Sequence, residues 1–258
     1  MDDAYKGKIR EKSLNTHKGK IVFCLDDLAE MVGKRPTKSE IEQLVPSDCT
    51  RLSRLISEVP SKKLLPIWGF LTSIAAEKSP GPVNITGRDY VGHELSFGTI
   101  VLDEGADHIG EKMKGGKIIV KGKAGNYLGQ EMIGGGIVAK SCKDYGFQTM
   151  RGGWGVIFGD AGNFFGLGNS GGKLLVKGNT GDRTGWLMRS GRVVVKGDAR
   201  DYLGLLMKGG EVLVYGKAGS GAGYWMKGGK IIASRFGSES GDSAVGGRIF
   251  ERDLRRDL

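Results

Sequence analysis

In the second half of the chain, apolar residues come as short β-branched runs closed by polar residues and glycine, and the runs return at a fixed interval. The segment Met113-Lys114-Gly115-Gly116-Lys117-Ile118-Ile119-Val120-Lys121-Gly122 recurs from Met132, Met150, Asn169, Met188, Met207 and Met226, in steps of 19, 18, 19, 19, 19 and 19 residues. Weaker copies flank it at Leu95-Ser96-Phe97-Gly98-Thr99-Ile100-Val101 and Ala244-Val245-Gly246-Gly247-Arg248-Ile249. Runs such as Ile118-Ile119-Val120, Leu174-Leu175-Val176, Val193-Val194-Val195 and Val212-Leu213-Val214 predict short strands. Glycines follow at regular spacing: Gly122, Gly125 and Gly129; Gly159, Gly162 and Gly166; Gly178, Gly181 and Gly185; Gly216, Gly219 and Gly223. A period of 18–19 residues is too short for helix-pair repeats or propeller blades. It fits one coil of a parallel β-helix, with glycine at tight corners where a positive φ costs it little. The pattern predicts a mainly β protein, a parallel β-helix of about seven to nine coils over residues 95–247. The methionine of each coil would stack inward as an adaptable core filler.

Residues 1–94 lack the period and predict a small α-rich segment. Lys20-Ile21-Val22-Phe23-Cys24-Leu25 suggests a strand, and Asp26 or Asp27 could cap a short helix through Leu28 and Met31, ended by Gly33. Thr37-Lys38-Ser39-Glu40 is a capping box. Ser47 is a candidate cap for a helix carrying Leu52, Leu55 and Ile56, and Pro66 opens an apolar helix over Ile67 to Ala76. A solenoid needs its open ends covered, so the segment is expected to cap the β-helix or to dock a partner. Residues 248–258 form a charged tail.

Composition narrows the class. Glycine is 46 of 258 residues, seven of them before residue 95, while proline is only 6, which excludes collagen and Pro/Gly linkers. Three distant cysteines exclude a disulfide framework and a Cys-rich metal motif. The chain has no apolar run long enough to cross a bilayer and no signal-peptide pattern at Met1-Asp2-Asp3-Ala4-Tyr5, so a cytoplasmic protein is expected.

The net charge of +10 is patterned. The position after each methionine reads Lys114, Ile133, Arg151, Ser170, Arg189, Lys208, Lys227. A second column, Lys117, Gly136, Trp154, Lys173, Arg192, Glu211, Lys230, is mostly basic too. Stacked at about 4.8 Å per coil, such like charges need either solvent screening or an acidic counterpart. Lys114, Arg151, Arg189, Lys208 and Lys227 are therefore candidates for a ridge that docks an acidic partner or a polyanionic carrier such as a polyglutamyl tail, the alternative being a solvated edge. Nucleic acid fits less well, because aromatics do not interleave the column.

One coil departs from the pattern. Val138-Ala139-Lys140-Ser141-Cys142-Lys143-Asp144-Tyr145-Gly146 lacks the corner glycine. The coil would be locally irregular or form a contact site around Cys142, Lys143, Asp144 and Tyr145. Cys142 beside Lys143 could have a lowered pKa, although no histidine neighbours it for nucleophilic catalysis.

The array M-x-G-G-x-I-x-V-x-G-x-A-G-x-x-x-G resembles the GXGXG β-helix family. That family includes the C-terminal domain of the glutamate synthase large subunit, one of the subunits of formylmethanofuran dehydrogenase, and a related component of the formyltransferase/hydrolase complex. The resemblance covers roughly residues 95–247. It implies a right-handed β-helix that carries no cofactor and organises catalytic partners.

Other motifs fail on context. Gly168-Asn169-Ser170-Gly171-Gly172 matches the nucleophile-elbow pattern G-x-S-x-G, but no histidine follows Ser170 and the serine falls in register with Lys114 and Lys208. Gly166-Leu167-Gly168-Asn169-Ser170-Gly171 matches G-x-G-x-x-G without a βαβ unit around it. P-loop and zinc spacings are absent, and the loop aspartates Asp107, Asp144, Asp160, Asp182, Asp198 and Asp201 fit turn chemistry better than calcium ligation. The sequence thus predicts no catalytic, metal or cofactor residues. The resemblance implies a non-catalytic scaffolding subunit of a one-carbon enzyme complex of the formylmethanofuran dehydrogenase type. The alternatives are a free-standing glutamate synthase GXGXG subunit and, in another class, a β-helix carbohydrate-active enzyme, which would need paired carboxylates on a strand face.

Overall fold

The computed structural model describes residues 24–33 and 35–252. Among the described residues, four helices precede the solenoid: α1 (Leu25–Met31), α2 (Lys38–Leu44), α3 (Cys49–Ser57) and α4 (Leu65–Lys78). Ten strands follow: β1 (Val83–Ile85), β2 (Thr99–Leu102), β3 (Lys117–Lys123), β4 (Gly136–Ser141), β5 (Trp154–Ile157), β6 (Ser170–Val176), β7 (Ser190–Val195), β8 (Glu211–Ala218), β9 (Lys227–Phe236) and β10 (Gly246–Glu251). Each pairs in parallel with the next in chain order, forming one sheet and a β-solenoid of about nine turns. The solenoid starts a coil before residue 95, at Val83, and its last strand runs past residue 247 into the segment read as a tail.

Register follows the apolar pattern. Ile118, Ile137, Gly155, Leu174, Val193, Val212 and Ile231 align across successive strands and face inward, as do Val120, Ala139, Ile157, Val176, Val195, Val214 and Ala233. The six recurrent methionines, Met113, Met132, Met150, Met188, Met207 and Met226, are all fully buried. Each reaches beneath the second residue of the following coil's Gly-Gly pair. At Gly210 (φ +86°), a Cβ would lie 2.6 Å from Met188 Cε, so the motif couples the inward methionine to a glycine one coil later.

The corner glycines work differently from the expectation. Only Gly129, Gly166, Gly185 and Gly223 of the twelve have positive φ. The other eight, Gly122, Gly125, Gly159, Gly162, Gly178, Gly181, Gly216 and Gly219, owe their identity to close approach between coils. A Cβ at Gly216 would fall 2.0 Å from Asp198 Oδ1. Much of the left-handed backbone is carried by side-chain-bearing residues instead, including Tyr90, His108, Tyr127, Tyr145, Phe164, Arg183 and Tyr202 at φ 58–68°.

At the N-terminal end, α4 is buried throughout Ile67 to Ala76, and its core is continuous with that of the first coils. Thr72 Oγ1 accepts from the Gly92 amide (2.9 Å), Glu77 Oε1 accepts from the Ser96 amide (2.7 Å), and the Ser73 hydroxyl donates to the His93 carbonyl (2.7 Å). The helix thus satisfies main-chain groups of the first turn that have no preceding coil to pair with. Helices α2 and α3 pack on its outer side, with Trp68 Nε1 donating to the Ile56 carbonyl (3.1 Å). Thr37 completes the expected capping box and proline stands in the first turn of α4. Two caps differ: Cys24 rather than Asp26 or Asp27 caps α1, and Asp48 rather than Ser47 caps α3 by accepting from the Thr50 and Arg51 amides. Of the strand expected over residues 20–25, residues 20–23 lie outside the described residues and Leu25 opens α1. No helix among the described residues is long and apolar enough to cross a membrane.

Candidate docking edge

The positions after the methionines form one outward column. Each backbone amide donates a hydrogen bond to a carbonyl of the preceding coil: Arg151 N to Met132 O (2.7 Å), Arg189 N to Asn169 O (2.8 Å), Lys208 N to Met188 O (2.8 Å) and Lys227 N to Met207 O (2.8 Å). Because the preceding residue is locked inward and a glycine turn follows, the basic side chains have only solvent to enter. Lys114, Arg151, Arg189, Lys208 and Lys227 are all exposed. Lys114 is neutralised by Glu94 (2.6 Å). Among the described residues the other four have no ion pair. From Arg151 to Lys227 the column runs about 19 Å at the strand spacing.

The second column stands on the sheet itself, and Glu211 there bridges Arg192 (3.2 Å) and Lys230 (3.5 Å). Beside it the outward residues Ile119, Val138, Val156, Leu175 and Val194 are half-buried. Lysines just past the ends of β6 and β7 lie on aromatic rings, Lys177 over Phe158 at 4.1 Å and Lys196 over Tyr215 at 3.5 Å. The sheet face therefore compensates much of its own charge, and the methionine-adjacent edge does not.

The aspartates are employed in the main chain. Asp89, Asp107, Asn126, Asp144, Asn163, Asp182 and Asp201 form a ladder in which each Oδ1 accepts the amide of the equivalent residue one coil on, at 2.7–3.3 Å, ending at Ser220 N. Asp160, Asn179 and Asp198 form a second ladder, ending at Lys217 N. The residue after each member of the first ladder carries the left-handed backbone, and there the rings stack. Tyr90, His108, Tyr127, Tyr145 and Phe164 lie 4.7–5.0 Å apart with interplanar angles of 1–13°, and Arg183 continues the column between Phe164 and Tyr202. Sequence reasoning missed this stack. Its 18–19-residue spacing was the available signal, hidden by the mixture of Tyr, His, Phe and Arg.

These ladders absorb most of the irregular coil. Cys142 pairs in parallel with Ala161 in a column of small residues that continues through Thr180, Ala199 and Ala218. Between Ala139 and Cys142 the coil is one residue shorter than between Ile157 and Ala161, so the absent corner glycine is a deletion, taken up as a register shift. The lowered thiol pKa is reversed. Burial pushes the Cys142 thiol from 9.0 up to about 12, outweighing a hydrogen bond from the Gly162 amide, while the Asp144 charge adds to the rise. Asp144 and Tyr145 serve the carboxylate ladder and the ring stack, and only Lys143 stands exposed.

The sequence G-x-S-x-G lies on this edge, in the coil of Ser170. Ser170 has Arg151 and Arg189 on either side, and its hydroxyl reaches the Met150 carbonyl at 3.4 Å. Among the described residues no three His, Cys, Asp or Glu side chains converge as metal donors. No protein-family model matches the chain, and no curated protein is significantly similar to it.

Proposed function

We propose that the chain is a non-catalytic scaffolding subunit whose methionine-adjacent basic edge docks an acidic partner. The observation that supports it most is an asymmetry of charge use. Loop aspartates accept main-chain amides, while Arg151, Arg189, Lys208 and Lys227 remain exposed on one edge and without an ion pair among the described residues. Arg189, Lys208 and Lys227 stand on successive coils about 4.8 Å apart, with Arg151 two coils from Arg189; such like charges repel one another, and an acidic surface relieves that repulsion while steering association. The GXGXG resemblance directs this reading to a one-carbon enzyme complex of the formylmethanofuran dehydrogenase type. Native affinity purification of the tagged chain from its own host tests it. Stoichiometric co-purification of metal-dependent one-carbon enzymes is the expected result. An amidotransferase or flavoprotein partner would move the scaffold to a glutamate synthase setting, and a chain that elutes alone would contradict the scaffold.

A further inference from the structure

The coil of Ser170 departs from the repeat at three consecutive positions where its neighbours keep to it. Thr149-Met150-Arg151 precedes it and Leu187-Met188-Arg189 follows it, whereas this coil reads Gly168-Asn169-Ser170. Two outward columns are truncated in the same coil, and a notch of about 380 Å³ opens there, floored by Gly168 and Ser170. The inward change makes the floor rigid. Asn169 is fully buried where methionine otherwise sits, its Oδ1 accepting from the Gly171 and Gly172 amides (3.1 and 2.8 Å) and its Nδ2 donating to the Gly172 carbonyl (3.0 Å).

The walls are chemically uneven. Arg151 and Arg189 border the notch from the two adjacent coils, about 9.6 Å apart along the solenoid, and neither has an ion pair among the described residues. Leu167 and Leu187 supply an apolar wall. Gln148 also lines it, with a buried Oε1 that has no hydrogen-bond partner among the described residues, and its carboxamide can turn either an acceptor or an NH₂ donor toward a ligand. We infer that this notch binds the terminal oxyanion, phosphate or carboxylate, of a small molecule with an apolar body, held between the two guanidinium forks over Ser170. Planar forks suit both oxyanions, and the volume suits a compact organic group.

Calorimetry on the full chain at low salt, with phenyl phosphate and benzoate as probes and inorganic phosphate as the body-free control, tests this. Saturable 1:1 binding of at least one aromatic probe, tighter than that of inorganic phosphate, is expected, and the preferred probe assigns the oxyanion. The deciding variant is Gly168→Leu/Ser170→Arg, which installs the residues of the following coil. Position 168 tolerates a side chain, since Thr149 and Leu187 adopt the same left-handed backbone and a Cβ there makes only ordinary contact with Thr149 Cγ2 at 3.4 Å. The variant adds a positive charge, yet it fills the notch and should weaken binding at least about tenfold. Arg151→Gln/Arg189→Gln, which alters only exposed side chains, should weaken it similarly. Absence of saturable binding by the native chain, or binding by the filled variant as tight as native, would overturn the site and leave only diffuse attraction to the edge. The filled variant keeps the whole basic column, so loss of the probe with retained partner docking separates this site from the scaffold reading.

Discussion

Asp144 shows how a single side chain serves this solenoid: one carboxylate oxygen stands in for a carbonyl and accepts the Asn163 amide at 2.8 Å, where the backbone turns away from strand pairing. Removing it leaves a partly buried amide without a partner, so Asp144→Ala should cost about 1–3 kcal/mol in denaturant unfolding. Asp144→Asn, the residue used at 126 and 163, should recover most of that loss. Cys142 gives a second test at this scale. With its thiol raised to about 12, the folded state favours the neutral form, so its contribution to stability is complete below pH 9 and is lost as pH rises toward 12. Native protein at pH 8 should therefore react with a thiol reagent at exposed Cys49 and not at Cys142. Cys142→Ala, matching Ala161 and Ala199 in its column, should fold normally and lessen the alkaline loss of stability. Fast modification of Cys142 in the folded chain would contradict the burial.

Among elements, the coil that runs from β4 to β5 redistributes its core volume. Gly155 stands where the neighbouring strands have Ile137 and Leu174, and the missing side chain is replaced by Phe147, whose ring would meet a Cβ at Gly155 at 2.3 Å. Phe147 occupies the position of Gly129 and Gly166 with φ +56°, and Gly146 beside it leaves room for Phe165. Gly155→Ile alone should destabilise by overpacking, about 1–3 kcal/mol, and Phe147→Gly alone by a cavity of about 3–5 kcal/mol. The double variant should be more stable than the two losses added, giving a coupling energy from thermal or urea unfolding. Strict additivity would mean that the two positions do not share this space. Strand register was legible in the sequence because an inward-facing apolar column has to repeat at the coil period, and the methionine motif stood out for the same reason. The Phe147–Gly155 exchange was not, because it trades volume between positions eight residues apart in chain and adjacent only in the fold. The choice of Cys24 and Asp48 as caps was equally hidden, since Asp26, Asp27 and Ser47 offer similar capping chemistry within a few residues.

At the scale of the whole molecule, the helical segment and the solenoid share one core, with α4 closing the first turn and leaving the long sides of the β-helix for other contacts. The sequence columns align the five basic residues, and all five are exposed, but which of them are compensated depends on side-chain reach that periodicity does not encode: Lys114 meets Glu94 across one coil, and the remaining four do not find a carboxylate among the described residues. The notch at Ser170 was visible in the sequence only as a motif with the wrong context, since its meaning lies in the neighbours above and below. Exposed single pairs are worth about 0–1 kcal/mol each, so no one cation should decide docking, whereas several together should speed association and make it salt-sensitive. The most direct test of the scaffold is the association rate of the chain with its co-purified partner, measured at low and high salt for the native protein and for a variant with Lys114, Arg151, Arg189, Lys208 and Lys227 all changed to Glu. The account predicts fast, salt-weakened association for the native chain and association at least about tenfold slower at low salt for the variant; equal rates for both proteins at both salt concentrations would contradict it.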